Sequence, residues 1–240
     1  MKTHCSCILL DIEGTTSSVS YVYDEMFPYV RRHLGAYLKQ NWGTPELGES
    51  LQLLSLEAGL ENWPDRELSV EDQQAQAARE AIRQMDSDLK TTGLKNLQGK
   101  IWKSGFESGA LKSHIYADVH PALEVWKELG KDIRIYSSGS VQAQLLFFGH
   151  TTEGNLLDYF SAHYDTTIGS KKESQSYSHI SRDSQFDPER ILFVSDILEE
   201  LNAAKSAGLE TVLSLRPGNA PVTQVHTHPV INSFAEIEWA

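Results

Sequence analysis

A chain of 240 residues, 40% hydrophobic and 22% charged, can bury a sizeable core and lies far from the composition of disordered or fibrous proteins. Its 33 acidic residues outnumber 21 basic ones, and the net charge of −12 excludes a broad electrostatic grip on nucleic acid or anionic lipid. It also requires that any phosphate site be assembled locally, from hydrogen-bond donors, a lysine and a metal cation.

In chain order, the first element expected is a short buried strand from Cys5 to Ile12, which opens into a loop at Gly14-Thr15-Thr16. Cys5 and Cys7, the only cysteines, fall on one face of that strand; they form no disulfide framework, and with His4 they read as the strand's beginning rather than as a metal cluster. From Met26 to about Leu111 the signals are helical. Phe27, Val30, Leu34, Tyr37 and Leu38 recur at helical spacing, and Glu71 to Leu89 contains neither Pro nor Gly.

After His120-Pro121 strands and helices alternate: helix Ala122–Leu129, strand Ile133–Tyr136, helix Val141–Phe148, a short strand at His163-Tyr164, and helix Glu173–Ser181. Strand Ile191–Val194, helix Glu199–Ala207 and strand Thr211–Leu215 follow. This alternation predicts the α/β class, with an open parallel Rossmann-like sheet built by right-handed crossovers. The helical stretch after strand one predicts an inserted helical cap, with residues 1–18 and 118–240 as the core and 19–117 as the cap.

Ligands of open parallel sheets bind beyond the carboxyl ends of the strands. Those ends carry Asp11-Ile12-Glu13-Gly14-Thr15-Thr16, Tyr136-Ser137-Ser138-Gly139-Ser140, Gly169-Ser170-Lys171 and Ser195-Asp196, with Glu199-Glu200 just beyond. Asp11 and Asp196 are a pair of hard oxygen ligands for Mg²⁺. A metal-neutralised carboxylate attacks phosphorus in line, which makes Asp11 the nucleophile of an aspartyl-phosphate mechanism. Glu13, two residues on, is placed to protonate the leaving oxygen and then deprotonate water. Ser137 and Ser138 offer hydroxyls and backbone N–H groups to phosphate oxygens, and Lys171 adds a positive charge. Each motif alone is ordinary loop chemistry; all four in order, at four strand ends, are not.

These residues resemble the haloacid dehalogenase superfamily. The likeness extends through Leu97-Gln98-Gly99-Lys100-Ile101-Trp102, Phe148-Gly149-His150, Lys171 to Tyr177 and Arg216-Pro217-Gly218-Asn219-Ala220, and in these the chain resembles the enolase-phosphatases of methionine salvage. Glu13, where most phosphatases of the superfamily carry Asp, is the most discriminating position. The resemblance implies enolisation of 2,3-diketo-5-methylthiopentyl 1-phosphate followed by hydrolysis to an acireductone and phosphate. It also implies that Asp11, Glu13 and Asp196 bind Mg²⁺, Glu13 partly through its backbone carbonyl, with Glu200 supporting them from behind and Ser137, Ser138 and Lys171 holding substrate.

The alternatives are a sugar-phosphate phosphatase on the same scaffold, a non-catalytic binding protein, which would be expected to lack Asp11, Lys171 or Asp196, and a dehalogenase, for which Glu13 would have no leaving oxygen to protonate. Trp102, Phe106 and Glu107 are either cap core or substrate wall, and His226 and His228 read as a solvated loop. With no apolar stretch near the roughly 20 residues a membrane helix needs and no export signal, the expectation is a cytoplasmic monomer, or a nuclear one in a eukaryotic cell, acting on a small phosphorylated molecule without membrane or nucleic-acid partners.

Overall fold

The computed structural model describes residues 1–240. Its eight strands are β1 (Lys2–Thr3), β2 (Cys7–Leu10), β3 (Asp132–Tyr136), β4 (Ala162–Tyr164), β5 (Ile191–Ser195), β6 (Glu210–Ser214), β7 (Val230–Ile231) and β8 (Glu238–Trp239). Six form one sheet in the order β4-β3-β2-β5-β6-β7, and every pairing in it is parallel. The four residues of β2 are fully buried, as a strand with both faces covered by helices must be, which is why its sequence is a continuous apolar run rather than an alternation. β1 and β8 pair parallel as a separate ribbon. β1, β7 and β8 are two residues long, too short for a periodic signal, and the sequence reading contains none of them.

The helices are α1 (Val19–Tyr21), α2 (Phe27–Asn41), α3 (Pro45–Ala58), α4 (Val70–Asp86), α5 (Thr92–Glu107), α6 (Val119–Glu128), α7 (Val141–Gly149), α8 (Ser174–Ser184) and α9 (Leu198–Ser206). None is long and apolar enough to cross a membrane. Helix α6 begins earlier than the Ala122 expected from sequence. Pro121 lies in its first turn, where no backbone N–H is needed, so this proline does not mark a boundary.

The chain divides into two compact units, one of residues Met1–Val22 with Lys112–Ala240 and one of Tyr23–Leu111. Residues 19–22 and 112–117 belong to the sheet-containing unit because of their contacts: the Tyr21 ring lies 5.9 Å from that of Phe147, the Ser113 N–H donates to the His150 carbonyl at 2.8 Å, and the Tyr116 N–H donates to the Thr16 carbonyl at 3.1 Å. The second unit is wholly helical. Thr44, Ser69 and Thr91 cap α3, α4 and α5 through their hydroxyls. Gly93 lets α5 approach α3 so closely that a side chain there would meet the Leu54 backbone. Trp102 and Phe106 are buried in this unit, and the Trp102 indole N–H donates to the Met26 carbonyl at 2.9 Å. Both therefore serve the helical core, and Glu107 is paired at its surface with Lys103 at 3.8 Å.

His228 corrects the sequence reading of a solvated loop. It is 5% exposed, bonded through Nδ1 to the Thr211 hydroxyl at 2.8 Å and through Nε2 to Asn202 Oδ1 at 3.0 Å. A His-x-His pattern carries no signal of burial, because the contacts come from β6 and α9.

Behind the β3 loop, the buried Gln144 amide donates to the carbonyls of Gly139 and Tyr164, both at 2.8 Å, and pairs through Oε1 with His163 Nδ1 at 3.2 Å. Burial lowers the His163 pKa to about 4. A histidine with a folded pKa below its unfolded value near 6.5 adds full stability above that value, and the contribution is lost as pH falls towards 4. Allowing for partial solvent access, the loss amounts to about 1–2 kcal/mol. Urea unfolding at pH 7.5 and pH 5 should show the difference for wild type and a smaller one for His163→Asn; an equal stability difference in the two proteins would exclude His163 as the source.

Candidate active site

The register of the sheet brings four chain-distant segments to one edge. Leu10, the last residue of β2, aligns with Ile135 of β3 and Val194 of β5, and the Asp11 N–H extends the ladder to the Val194 carbonyl at 3.1 Å. Asp11 is thus the first residue beyond the central strand, 4% exposed. Its Oδ1 accepts from the Ile12 N–H at 2.8 Å and faces the Lys171 ammonium at 2.7 Å, while Oδ2 lies 3.3 Å from the Ser195 hydroxyl.

Lys171 sits between two acids, Asp11 and Glu200, with its Nζ 2.7 Å from each. Burial alone would lower its pKa, but the two carboxylates outweigh that and hold it above the ordinary lysine value, so the ammonium stays charged. Its backbone is fixed as firmly. The Tyr177 hydroxyl donates to the Lys171 carbonyl at 2.6 Å, Ser176 to that of Ser170 at 2.7 Å, and Tyr136 to that of Gly169 at 2.9 Å. Gly169, at φ 141°, must be glycine, since a Cβ would run into the Ser176 side chain.

Glu200 is buried in the first turn of α9, and Ser195 donates to its Oε2 at 2.9 Å while accepting from the Ile197 N–H at 3.1 Å. Burial raises the Glu200 pKa to about 7, and the charge of Asp11 adds to this against the opposing pull of Lys171. Asp196 is also raised to about 7, first by burial and then by Asp11 and Glu200. Three acids against one ammonium leave an excess of negative charge out of water, and every free donor among them is oxygen. That set suits a hard divalent cation. No three side chains of the His, Cys, Asp and Glu types form a ready metal cluster, so such a cation would draw on two carboxylates, backbone oxygen, substrate and water.

Glu13 lies in the turn after Asp11. The turn is closed by the N–H groups of Thr15, Thr16 and Ser17 on the Ile12 carbonyl, and by the Gly14 N–H on the Ser17 carbonyl at 2.8 Å. Gly14 takes φ 68°, and a Cβ there would collide with the Asp196 carboxylate. Ser137 and Ser138 follow β3; Ser137 is buried, with its N–H on the Tyr164 carbonyl at 3.1 Å, and Ser138 is exposed. Asp11, Lys171, Asp196 and Glu200 therefore form one charged cluster, with Glu13 and the Ser137-Ser138 loop at adjacent strand ends. The sequence reading gave Ser195 and Tyr177 no role, because nothing in one sequence tells a hydroxyl aimed at a carboxylate from one facing solvent.

An open parallel sheet with an acid just past its central strand, a lysine bound to that acid and a second acid after β5 defines a haloacid dehalogenase-like hydrolase, and the model of that family matches residues 5–208. Within the class the chain is 42% identical over 234 residues to enolase-phosphatase E1 of Drosophila mojavensis, covering 96% of this chain and 94% of the relative. It is 43% identical over 241 residues to a "probable bifunctional methylthioribulose-1-phosphate dehydratase/enolase-phosphatase E1" of Populus trichocarpa, covering 96% of this chain and 46% of that one. The crystal structure of the UTR4 protein of Saccharomyces cerevisiae superimposes with a TM-score of 0.78 at 33% identity, covering 97% of this chain and 100% of the other. The chain belongs to the enolase-phosphatase E1 family, and it is a phosphatase.

Proposed function

We infer that this phosphatase is a Mg²⁺-dependent enolase-phosphatase of methionine salvage. It converts 2,3-diketo-5-methylthiopentyl 1-phosphate through an enol phosphate to an acireductone and inorganic phosphate. The observation that carries the phosphoryl chemistry is the Lys171 ammonium held at 2.7 Å from both Asp11 and Glu200 beyond the central strand. The E1 names of the relatives support the substrate, as does the fusion in the Populus protein: loss of water from methylthioribulose 1-phosphate gives a methylthio diketo phosphate.

On this reading Asp11 Oδ2, the carboxylate oxygen away from Lys171, attacks phosphorus and forms an aspartyl-phosphate. Lys171, held by Glu200, and the Ser137-Ser138 loop bind the phosphoryl oxygens as charge builds on them. Glu13 protonates the departing oxygen and then takes a proton from the water that hydrolyses the intermediate. Asp11, Asp196 and the Glu13 carbonyl would hold Mg²⁺, which would supply charge neutralisation for the carboxylates and the phosphate. The helical unit is read as the cap of such an enzyme, and the working form as a cytoplasmic monomer.

Phosphate release with Mg²⁺ across a panel of esters tests the reading. The diketo phosphate should exceed hexose and pentose phosphates by about 10²-fold or more in kcat/KM, a gap that a site matched to the methylthio diketo chain can supply. Equal rates would replace it with a sugar-phosphate phosphatase. With an activated aryl phosphate, Glu13→Gln should release one rapid equivalent of phenol and then turn over about 10²- to 10⁴-fold more slowly. Wild-type turnover without a burst would leave Glu13 structural.

A further inference from the structure

The turn that follows Asp11 is gripped by a second turn, Arg216-Pro217-Gly218-Asn219, which the mechanism above does not use. Arg216 is buried between the rings of Tyr116 and Phe234, at 4.8 and 4.6 Å. Its Nε–H donates to the Thr15 carbonyl at 3.0 Å, and Nη1 donates to the Asp118 carboxylate at 2.8 Å and to the Asn232 carbonyl at 2.9 Å. The Tyr116 hydroxyl donates to the Pro217 carbonyl at 3.2 Å, and the Asn219 N–H closes the turn on the Arg216 carbonyl at 3.1 Å. The position of Asn219 relative to the Asp11 loop is therefore set by contacts on both sides.

The side chain of Asn219 has two unlike ends. Its Nδ2 donates to the Gly14 carbonyl at 2.9 Å and to the Ser214 carbonyl at 3.3 Å, so both amide hydrogens are spent on backbone acceptors. Those two carbonyls also fix which end carries the nitrogen, since a flipped amide would set oxygen against oxygen. The other end, Oδ1, is buried and accepts no hydrogen bond. A buried acceptor without a donor is destabilising, so such a group calls for a partner. It lies 3.0 Å from the point a Gly14 Cβ would occupy, and the Asp196 carboxylate crowds that same point.

An amide oxygen beside an ionised carboxylate gains nothing from it, because both then only accept. A donor has to stand between them, and a water bound to a divalent cation is a strong one, with polarised hydrogens directed away from the metal. We propose that Asn219 is a positioning residue for the cation at Asp196. Its Oδ1 accepts from a cation-bound water, while its Nδ2 holds the Gly14 carbonyl and with it the Glu13–Gly14 turn. This rests on the Mg²⁺ reading above and adds a residue to which that reading gives no part. Asn219 acts through the cation and the turn and touches no reacting atom, so its mark is metal affinity.

The test is calorimetric titration of Mg²⁺ into the metal-free full chain without substrate, for wild type, Asn219→Ala and Asn219→Asp. Removing a group of this kind typically costs 10- to 100-fold in metal affinity, so Asn219→Ala should raise the Kd for Mg²⁺ at least about 10-fold. Asn219→Asp keeps an acceptor oxygen at that place and adds a negative charge beside the cation, which offsets the loss of the Nδ2 bonds to the Gly14 and Ser214 carbonyls, so it should bind Mg²⁺ within about threefold of wild type or more tightly. An unchanged Kd in Asn219→Ala overturns the proposal, as does an equal loss in both variants, which would reduce Asn219 to a turn residue. Should Asn219→Ala not fold, Asn219→Asp decides alone, and a Kd about 10-fold weaker than wild type overturns the proposal. Wild type that binds no Mg²⁺ would instead overturn the cation reading itself, so the two failures are distinguishable.

Discussion

Asp11→Asn should reduce phosphate release by on the order of 10⁴-fold or more, because an amide retains the shape of the nucleophile and none of its charge. The fold should survive. Asp11 is one of three neighbouring acids, of which it and Glu200 touch the ammonium, and its charge helps to raise the pKa of both Asp196 and Glu200. Removing it leaves Lys171 paired with Glu200 at 2.7 Å and relieves repulsion on Asp196. The metal-free thermal midpoint should therefore be equal to or above that of wild type while turnover is lost. A midpoint lowered by several degrees would mean that the Lys171–Asp11 pair stabilises the fold more than the acid cluster strains it. Residual turnover near the wild-type rate would remove Asp11 as the nucleophile.

Lys171→Met should fail in the opposite way, in stability as well as catalysis. Lys171 Nζ is the counter-charge that holds both Asp11 and Glu200, and all three side chains are nearly buried. Deleting one partner of a buried ionic cluster costs about 3–5 kcal/mol, because the remaining charges cannot regain water. For a protein of this size that corresponds to a fall of about 10 °C in the unfolding midpoint. Catalysis should fall in parallel, as the charge facing the phosphoryl group is gone. The double variant Lys171→Met/Glu200→Gln should recover part of the stability and none of the activity. If the double variant is no more stable than Lys171→Met, the loss comes from packing around the lysine stem rather than from uncompensated charge.

The legibility of this chain divides along the distance over which each signal acts. The parallel sheet could be read because its central strands are continuous apolar runs, each closed by a polar or acidic residue, and because the helices between them are long enough to show periodicity. Asp11 and Asp196 could be singled out for the same reason: a strand end is a local feature, and the fold class then implies that strand ends meet; Lys171, expected at a strand end too, instead lies beyond β4 in the loop that leads into α8. Helix boundaries were less legible, as Pro121 shows, since a proline in a first turn and a proline before a helix look alike in sequence.

The contacts that set the electrostatics were not local. Lys171 bridges Asp11 and Glu200, Ser195 reaches Glu200, and Asn219 holds Gly14 from 205 residues away along the chain. The burial of His228 between Thr211 and Asn202 belongs with these, because each depends on which faces of separate elements are pressed together. A residue's type and its neighbours in the chain establish what chemistry it is capable of. Its partner, its loss of water and hence its charge state come from packing between distant segments, and that is why the acids of this site were recognisable in the sequence while their pairing was not.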